Sequence, residues 1–355
     1  MGEAEIIPIE GRDRRSVKPQ AETRAIPRCR AVTKEGKPCK KDAVSADGYC
    51  SVHAKTQSNE RSQHPSARSS SRGIVRDRQQ PDPLGIEEFL RRRISGDYPV
   101  DDFGYDEQLS REVLMPLVKP LYETYFRVRT LGIDRIPATG AALLICNHSG
   151  TIPLDAVMVQ YAVATEHAQR RLVRNVGADL VWRMPLIGPL ARKSGNVVAC
   201  DEDAYELIRR GELIGVFPEG YKGVGKGWSE RYKLQRFGRG GYVELALRTK
   251  TPIIPVAIVG AEEAYPMIFN AKLLAKVFGF PYFPITPTFP ALGPLGLLPL
   301  RSRWVIEFGE PIPMDDHPED AAEDPMYVFD QSDRVRDTIQ QMLYANLNKR
   351  GGAFF

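Results

Sequence analysis

The sequence predicts an α/β fold with a mostly parallel central sheet flanked by helices and preceded by N-terminal helices. Short β-rich runs alternate with helical ones through the second half of the chain, the pattern that βαβ units produce. Several of these runs, such as AALLIC and PIIPVAIV, are almost wholly apolar, as strands covered on both faces are. With 42% apolar residues in 355, a sizeable core can be buried.

Four regions follow from composition. Residues 1–27 read as a disordered N-terminus, 28–54 as a short Cys/His module, and 55–83 as a flexible linker of Ser, Arg, Gln and Pro. The main domain spans 84–350. It opens with LGIEEFLRRRIS and LSREVLMPLVKPLYETYFRV, whose large apolar residues recur at three and four residue steps, as in helices. Strands are then expected at AALLIC, RLVRNV, GNVVAC, LIGVF, PIIPVAIV and WVIEF. Helices are expected at PLDAVMVQYAVATEHA, DEDAYELIRRG and GGYVELALRT.

The 24 residues from Val277 to Leu300 carry no charge, enough on length alone to cross a bilayer. Six prolines within them remove backbone donors and obstruct a helix, which hydrocarbon does not tolerate. The expectation is an apolar surface loop bordered by Arg301, Arg303 and Trp304, suited to the water–lipid boundary, with residues 277–304 meeting a membrane surface. Packing of this loop over the core is the competing expectation.

Charge is uneven: Met1 to Pro83 holds 17 Lys/Arg against 11 Asp/Glu, and the remainder holds 32 against 34. A basic arm suits nucleic acid, anionic lipid or an acidic protein alike. Three of the five cysteines crowd between Cys29 and Cys50, which argues for a reducing compartment rather than a disulfide scaffold. In the first thirty residues IIPI runs straight into EGRDRR, so no export signal is expected, and the location expected is cytoplasmic.

The chemistry gathers at two strand ends. AALLICNHSGTIPLD ends a buried strand in a polar turn and restarts as a helix, with Pro153 suited to the first helical position. His148 in that turn can act as a general base, and Asp155 is the nearest carboxylate to fix its tautomer. Ser149 and Cys146 lack a nucleophile elbow, and Cys146 reads as a small core residue. LIGVFPEG is a second strand ending in a polar turn, followed by YKGVGKGWSERYKLQRFGRGG. Lys222, Lys226, Arg231, Lys233, Arg236 and Arg239 there can offer cations to phosphate, or simply form a solvated charge run.

These segments resemble the lysophospholipid acyltransferases, a family that includes acylglycerol-phosphate and glycerol-phosphate acyltransferases. NHSGTIPLD at Asn147 to Asp155 is similar to the family's first block, which implies a catalytic dyad of His148 and Asp155. VFPEG at Val216 to Gly220 resembles the third block, which implies acceptor binding by Phe217, Pro218, Glu219, Gly220 and the following Lys222. MPLIGPLARKSGNVVA resembles the second block, with Arg192 its polar contributor, and TPIIPVAIV the fourth. RFGRGGYVELAL resembles the basic segment after the third block, with Arg239 where Lys is usual. The departure is spacing: four residues usually separate the His and Asp, and here there are six.

The resemblance implies direct acyl transfer from acyl-CoA or acyl carrier protein to a lysophospholipid or acylglycerol, without a catalytic cofactor. Tyr221 and Lys222 replace the Arg that often follows FPEG, which leaves a neutral acceptor open. The competing expectation is a catalytically silent acyltransferase fold serving as a lipid-binding or regulatory module.

Cys29, Cys39, Cys50 and His53 follow the spacing C x9 C x10 C x2 H. Three thiolates and one imidazole make a closed tetrahedral zinc shell of the structural type, and metal would supply the folding free energy that so small a core lacks. The spacing also resembles a small three-Cys, one-His zinc motif found on unrelated proteins. Contact with nucleic acid, a protein or anionic membrane is open.

Overall fold

The computed structural model describes residues 85–354. The segments expected from sequence to be a disordered N-terminus, a linker and a module carrying Cys29, Cys39, Cys50 and His53 lie outside the described residues.

The apolar runs form strands β1 (Arg129–Leu131), β2 (Ala142–Cys146), β3 (Val173–Gly177), β4 (Val197–Val198), β5 (Leu213–Val216), β6 (Ile253–Val259), β7 (Phe269–Asn270), β8 (Pro284–Ile285) and β9 (Val305–Phe308). Seven of them join in one sheet of order β1-β9-β6-β2-β5-β3-β4, with β7 and β8 paired separately. Pairing is parallel throughout the large sheet except between β6 and β9. The fold is therefore α/β with a mostly parallel sheet.

Helices follow as α1 (Ile86–Ser95), α2 (residues 107–125), α3 (Leu154–Glu166), α4 (Asp179–Arg183), α5 (Ile187–Lys193), α6 (Asp201–Arg209), α7 (Tyr221–Val224), α8 (Gly241–Thr249), α9 (Ala261–Ala264), α10 (Lys272–Phe278) and α11 (Pro325–Arg350). Helix α2 contains two widened turns, Ser110–Leu114 and Leu121–Tyr125, on either side of Met115–Pro120. Pro116 and Pro120 each lack an N–H donor and crowd the carbonyl four residues back, so the ladder cannot stay α-helical beside them. Helix α3 starts at Leu154, one residue later than the sequence suggested, with Pro153 at its cap.

Alternation along the central strands builds two cores. Ala142, Leu144 and Cys146 face one cluster, with Met158, Val159 and Ala162 of α3 and Phe126 beyond α2. Leu143 and Ile145 face the other, with Leu207 of α6, Val243 and Leu247 of α8, and Val335, Ile339 and Leu343 of α11. A strand covered on both sides needs no polar face, which is why β2 is apolar at every position. Helix α11 begins where Pro325 takes the first position and the Asp324 carboxylate accepts from Met326 N (2.9 Å) and Tyr327 N (3.3 Å).

The order of elements fixes where a ligand can sit. After β2 the chain passes to α3 on one face, and after β5 it passes to α8 on the other. Adjacent parallel strands whose connections leave toward opposite faces open a crevice at their carboxyl ends. His148 and Glu219 lie just beyond those two ends.

Leu144→Ala removes a fully buried side chain from the middle of β2. It should lower unfolding stability by about 2–5 kcal/mol, read as a reduced denaturant midpoint with unchanged slope.

Candidate active site

The β2 end is fixed before its chemistry begins. Asn147 is fully buried, and its side chain accepts from Ile258 N (2.7 Å) and donates to Ile258 O (3.0 Å), closing a two-bond clasp onto β6. His148 follows, its side chain 14% exposed. The chain then bends at Gly150 (φ +81°), where a Cβ would come within 3.0 Å of Ala261 O. Glycine is needed there for both reasons. The bend returns the chain so that Asp155, in the first turn of α3, faces His148.

His148 Nδ1 and Asp155 Oδ2 are 2.8 Å apart. The same oxygen accepts from Ser149 N (2.8 Å), and Oδ1 accepts from Ala156 N (2.9 Å). Asp155 thus accepts from two backbone N–H groups at the start of α3 and meets the imidazole at Nδ1, where the tautomer that donates from Nδ1 completes the contact. Nε2 makes no hydrogen bond among the described residues and is left with a lone pair. Six intervening residues are accommodated in a largely buried turn, with Ser149 and Thr151 inside and Tyr282 donating to Thr151 O (2.7 Å).

Glu219, at the β5 turn, is buried. Its Oε1 accepts from His148 N (2.9 Å), and Oε2 accepts from Gln235 N (2.6 Å) and pairs with Lys226 (3.3 Å). The carboxylate therefore holds the histidine's backbone and the following loop. Gly223 packs beneath: a Cβ there would stand 2.7 Å from His148 O. Gly220 adopts φ +55°, ψ −145°, a conformation open to glycine. The Phe217 ring lies 4.7 Å from the imidazole, and Pro218 is half-buried.

Lys226 departs from the sequence reading of a cation offered to phosphate. Its side chain is only 3% exposed and is paired with Glu219 and, at 3.2 Å, with Glu262. Burial opposes its charge, but Glu262 and Glu219 together outweigh burial and raise its pKa. Burial pushes Glu262 up to about 7 against the pull of Lys226. Both Glu262 oxygens accept from Tyr232 N (3.1 and 3.0 Å), holding that residue at φ +59°. Tyr232 in turn bonds Glu263, which pairs with Arg350 at 2.6 Å.

The remaining expected binding residues are peripheral. Lys222 and Arg239 are exposed. Arg192 on α5 is exposed, with its guanidinium 5.6 Å from the Trp182 ring and its stem against Gly104. Burial, with the Asp155 charge nearby, pushes the Cys146 thiol well above its ordinary range, as suits a core residue. Ser149 Oγ is buried without a hydrogen-bond partner. The reading of Trp304 as a boundary aromatic is corrected: it is 1% exposed and packs on Phe126, because its indole N–H finds Ser302 Oγ (3.0 Å) inside. The exposed apolar surface begins earlier, at Ile268 and Phe269, and runs through Leu273, Val277 and Phe278 to Leu298. Among the described residues no helix is long and apolar enough to cross a membrane, and no group of His, Cys, Asp or Glu could hold a metal ion.

Residues 127–259 match the family described as Acyltransferase, and residues 26–66 match a domain of unknown function, DUF5763. An uncharacterized protein of Mycobacterium tuberculosis is 52% identical over 267 residues, 75% of each chain. The human "DGAT1/2-independent enzyme synthesizing storage lipids" is 26% identical over 184 residues, 52% of this chain and 53% of that one. Among solved structures, the 1-acyl-sn-glycerophosphate acyltransferase PlsC of Thermotoga maritima is similar at 15% identity and a TM-score of 0.42, over 68% of this chain and 82% of that one. Residues 127–259, from β1 to β6, thus form an Acyltransferase family domain, within a chain that belongs with this mycobacterial protein along three quarters of its length.

Proposed function

We propose that the protein moves a fatty acyl group from acyl-CoA or acyl carrier protein to the hydroxyl of a lysophospholipid or acylglycerol, with His148 as general base. The observation that carries this is the 2.8 Å contact of His148 Nδ1 with Asp155, which leaves Nε2 as the base. It favours catalysis over a silent fold, since the unusual spacing still brings the carboxylate within hydrogen-bond reach.

The acceptor hydroxyl gives its proton to Nε2 as its oxygen attacks the thioester carbonyl. The tetrahedral oxyanion collapses, expels the thiolate, and the imidazolium returns the proton to sulfur. Asp155 stabilises that imidazolium through its contact with Nδ1. The Ser149 N–H is engaged by Asp155, which leaves the Gly150 and Thr151 N–H groups for the oxyanion. Phe217, Pro218, Glu219 and Gly220 shape the acceptor side of the crevice. Lys222, Arg239 and, from α5, Arg192 are the cations for a phosphate. The storage-lipid relative supports a neutral acylglycerol as acceptor.

The surface from Ile268 to Leu298 seats the protein peripherally on a membrane, with Leu273 and Val277 75 and 71% exposed. It leads to Arg301 and Arg303, whose charges, after burial, lower the pKa of Arg127. Such a crowded cationic edge suits anionic headgroups. Tyr282 ties this flank to Thr151 of the catalytic turn, so acceptor lipid would enter beside His148. Zinc held by Cys29, Cys39, Cys50 and His53 would stabilise the N-terminal module, whose contact we assign to an anionic lipid, protein or nucleic acid partner.

His148→Ala should reduce transfer of a radiolabelled acyl group by roughly 10²–10⁴-fold, and Asp155→Asn should lower kcat with little change in acceptor KM; full activity in His148→Ala would sink the assignment. Sedimentation with vesicles containing phosphatidylserine should retain the wild type and release Leu273→Asp/Val277→Asp, whose folding is checked by circular dichroism. The purified full chain should contain one zinc per molecule, absent in Cys39→Ser, by elemental analysis.

A further inference from the structure

We propose that Lys226 is a positioning residue for His148: its buried ammonium pairs with Glu219 and Glu262 at once, and so fixes the carboxylate that holds the histidine's backbone. The inference rests on His148 being the working base.

An ammonium has three N–H donors. Around Lys226 Nζ stand three acceptors, Glu219 Oε2 at 3.3 Å, Glu262 Oε1 at 3.2 Å and Lys233 O at 3.3 Å. Its donor capacity is thus matched, with none left for a substrate phosphate. Glu219 carries the His148 N–H on one oxygen and the Gln235 N–H on the other, while Glu262 carries the Tyr232 N–H. One cation therefore ties the β2 turn, the β5 turn, the start of α9 and residues 232–235 into a single unit. Without it, two buried carboxylates would confront each other, and each would either take a proton or draw water inward. Either change loosens Glu219, and with it the imidazole whose distance to the reacting hydroxyl sets the rate.

The test uses the full chain with histidine labelled at ring carbon. The His148 resonance is identified by its loss in His148→Ala. In Lys226→Met the His148 signal should shift or broaden while that of His317, bonded to Tyr327, stays. The kcat should fall by about 10²-fold, with acceptor KM changed less than about 3-fold. Lys226→Met/Glu262→Gln, which removes one charge of each sign, should recover to within about 10-fold of wild type. It also carries the test should circular dichroism find the single variant unfolded. An unchanged His148 resonance with unchanged kcat would overturn the proposal, as would a tenfold rise in KM at constant kcat that the double variant does not relieve, the signature of a substrate ligand. Absence of acyl transfer in the wild type would count against the enzymatic reading, while the resonance arm would still report on positioning.

Discussion

The hydrogen bond from the His148 N–H to Glu219 is the contact through which the rest of the site acts. It exists because β2 and β5 pair in parallel, with Ile145 opposite Val216, so the two chains leave the sheet side by side. Everything beyond the strand ends would otherwise be loop, free to separate. Glu219 joins them at a cost, since a carboxylate is taken from water. Backbone donors from both sides and a buried lysine offset that cost, which explains why so much charge lies in the wall of the crevice.

The orientation of His148 is accordingly set twice. Glu219 fixes the backbone, and Asp155 fixes the ring. Neither carboxylate can replace the other, because one addresses an amide and the other Nδ1. Gly223 lets the two turns approach until its Cα lies against His148, leaving no space for a methyl group. The arrangement keeps Nε2 as the free atom.

Much of the fold was legible because its determinants are local. Doubly covered strands such as AALLIC and PIIPVAIV announce themselves by continuous apolar sequence, and both are strands. Helix α11 was not read, although Val328, Val335, Ile339 and Leu343 keep one face at steps of seven, four and four. Buried Gln331, Ser332 and Asn346 interrupt that face and hide its apolar period, and its core partners lie far away in β2 and β6. The turn residues of the candidate site could be named because they cluster in sequence. Which acid met which donor could not. Lys226 sits among six basic residues and looks like its neighbours in sequence, yet Glu262, which helps to bury it, is 36 positions away.

That difference between appearance and placement changes what the basic loop can do. Arg231 lies over Trp228 and Arg236 over Phe329, with guanidinium carbons 4.4 and 4.6 Å from the ring centres. Lys233 stands 3.7 Å from Glu230, and Lys226 is buried. Of the six cations, Lys222 and Arg239 are the exposed ones without an ion pair or ring contact among the described residues. A phosphate is bound well when several donors converge on it, and two side chains seventeen residues apart converge only if the loop brings them together. The chain has spent most of its positive charge there on holding the loop in shape. Whatever preference this loop gives a charged over a neutral acceptor therefore rests on those two residues, with Arg192 of α5 as the cation from outside it.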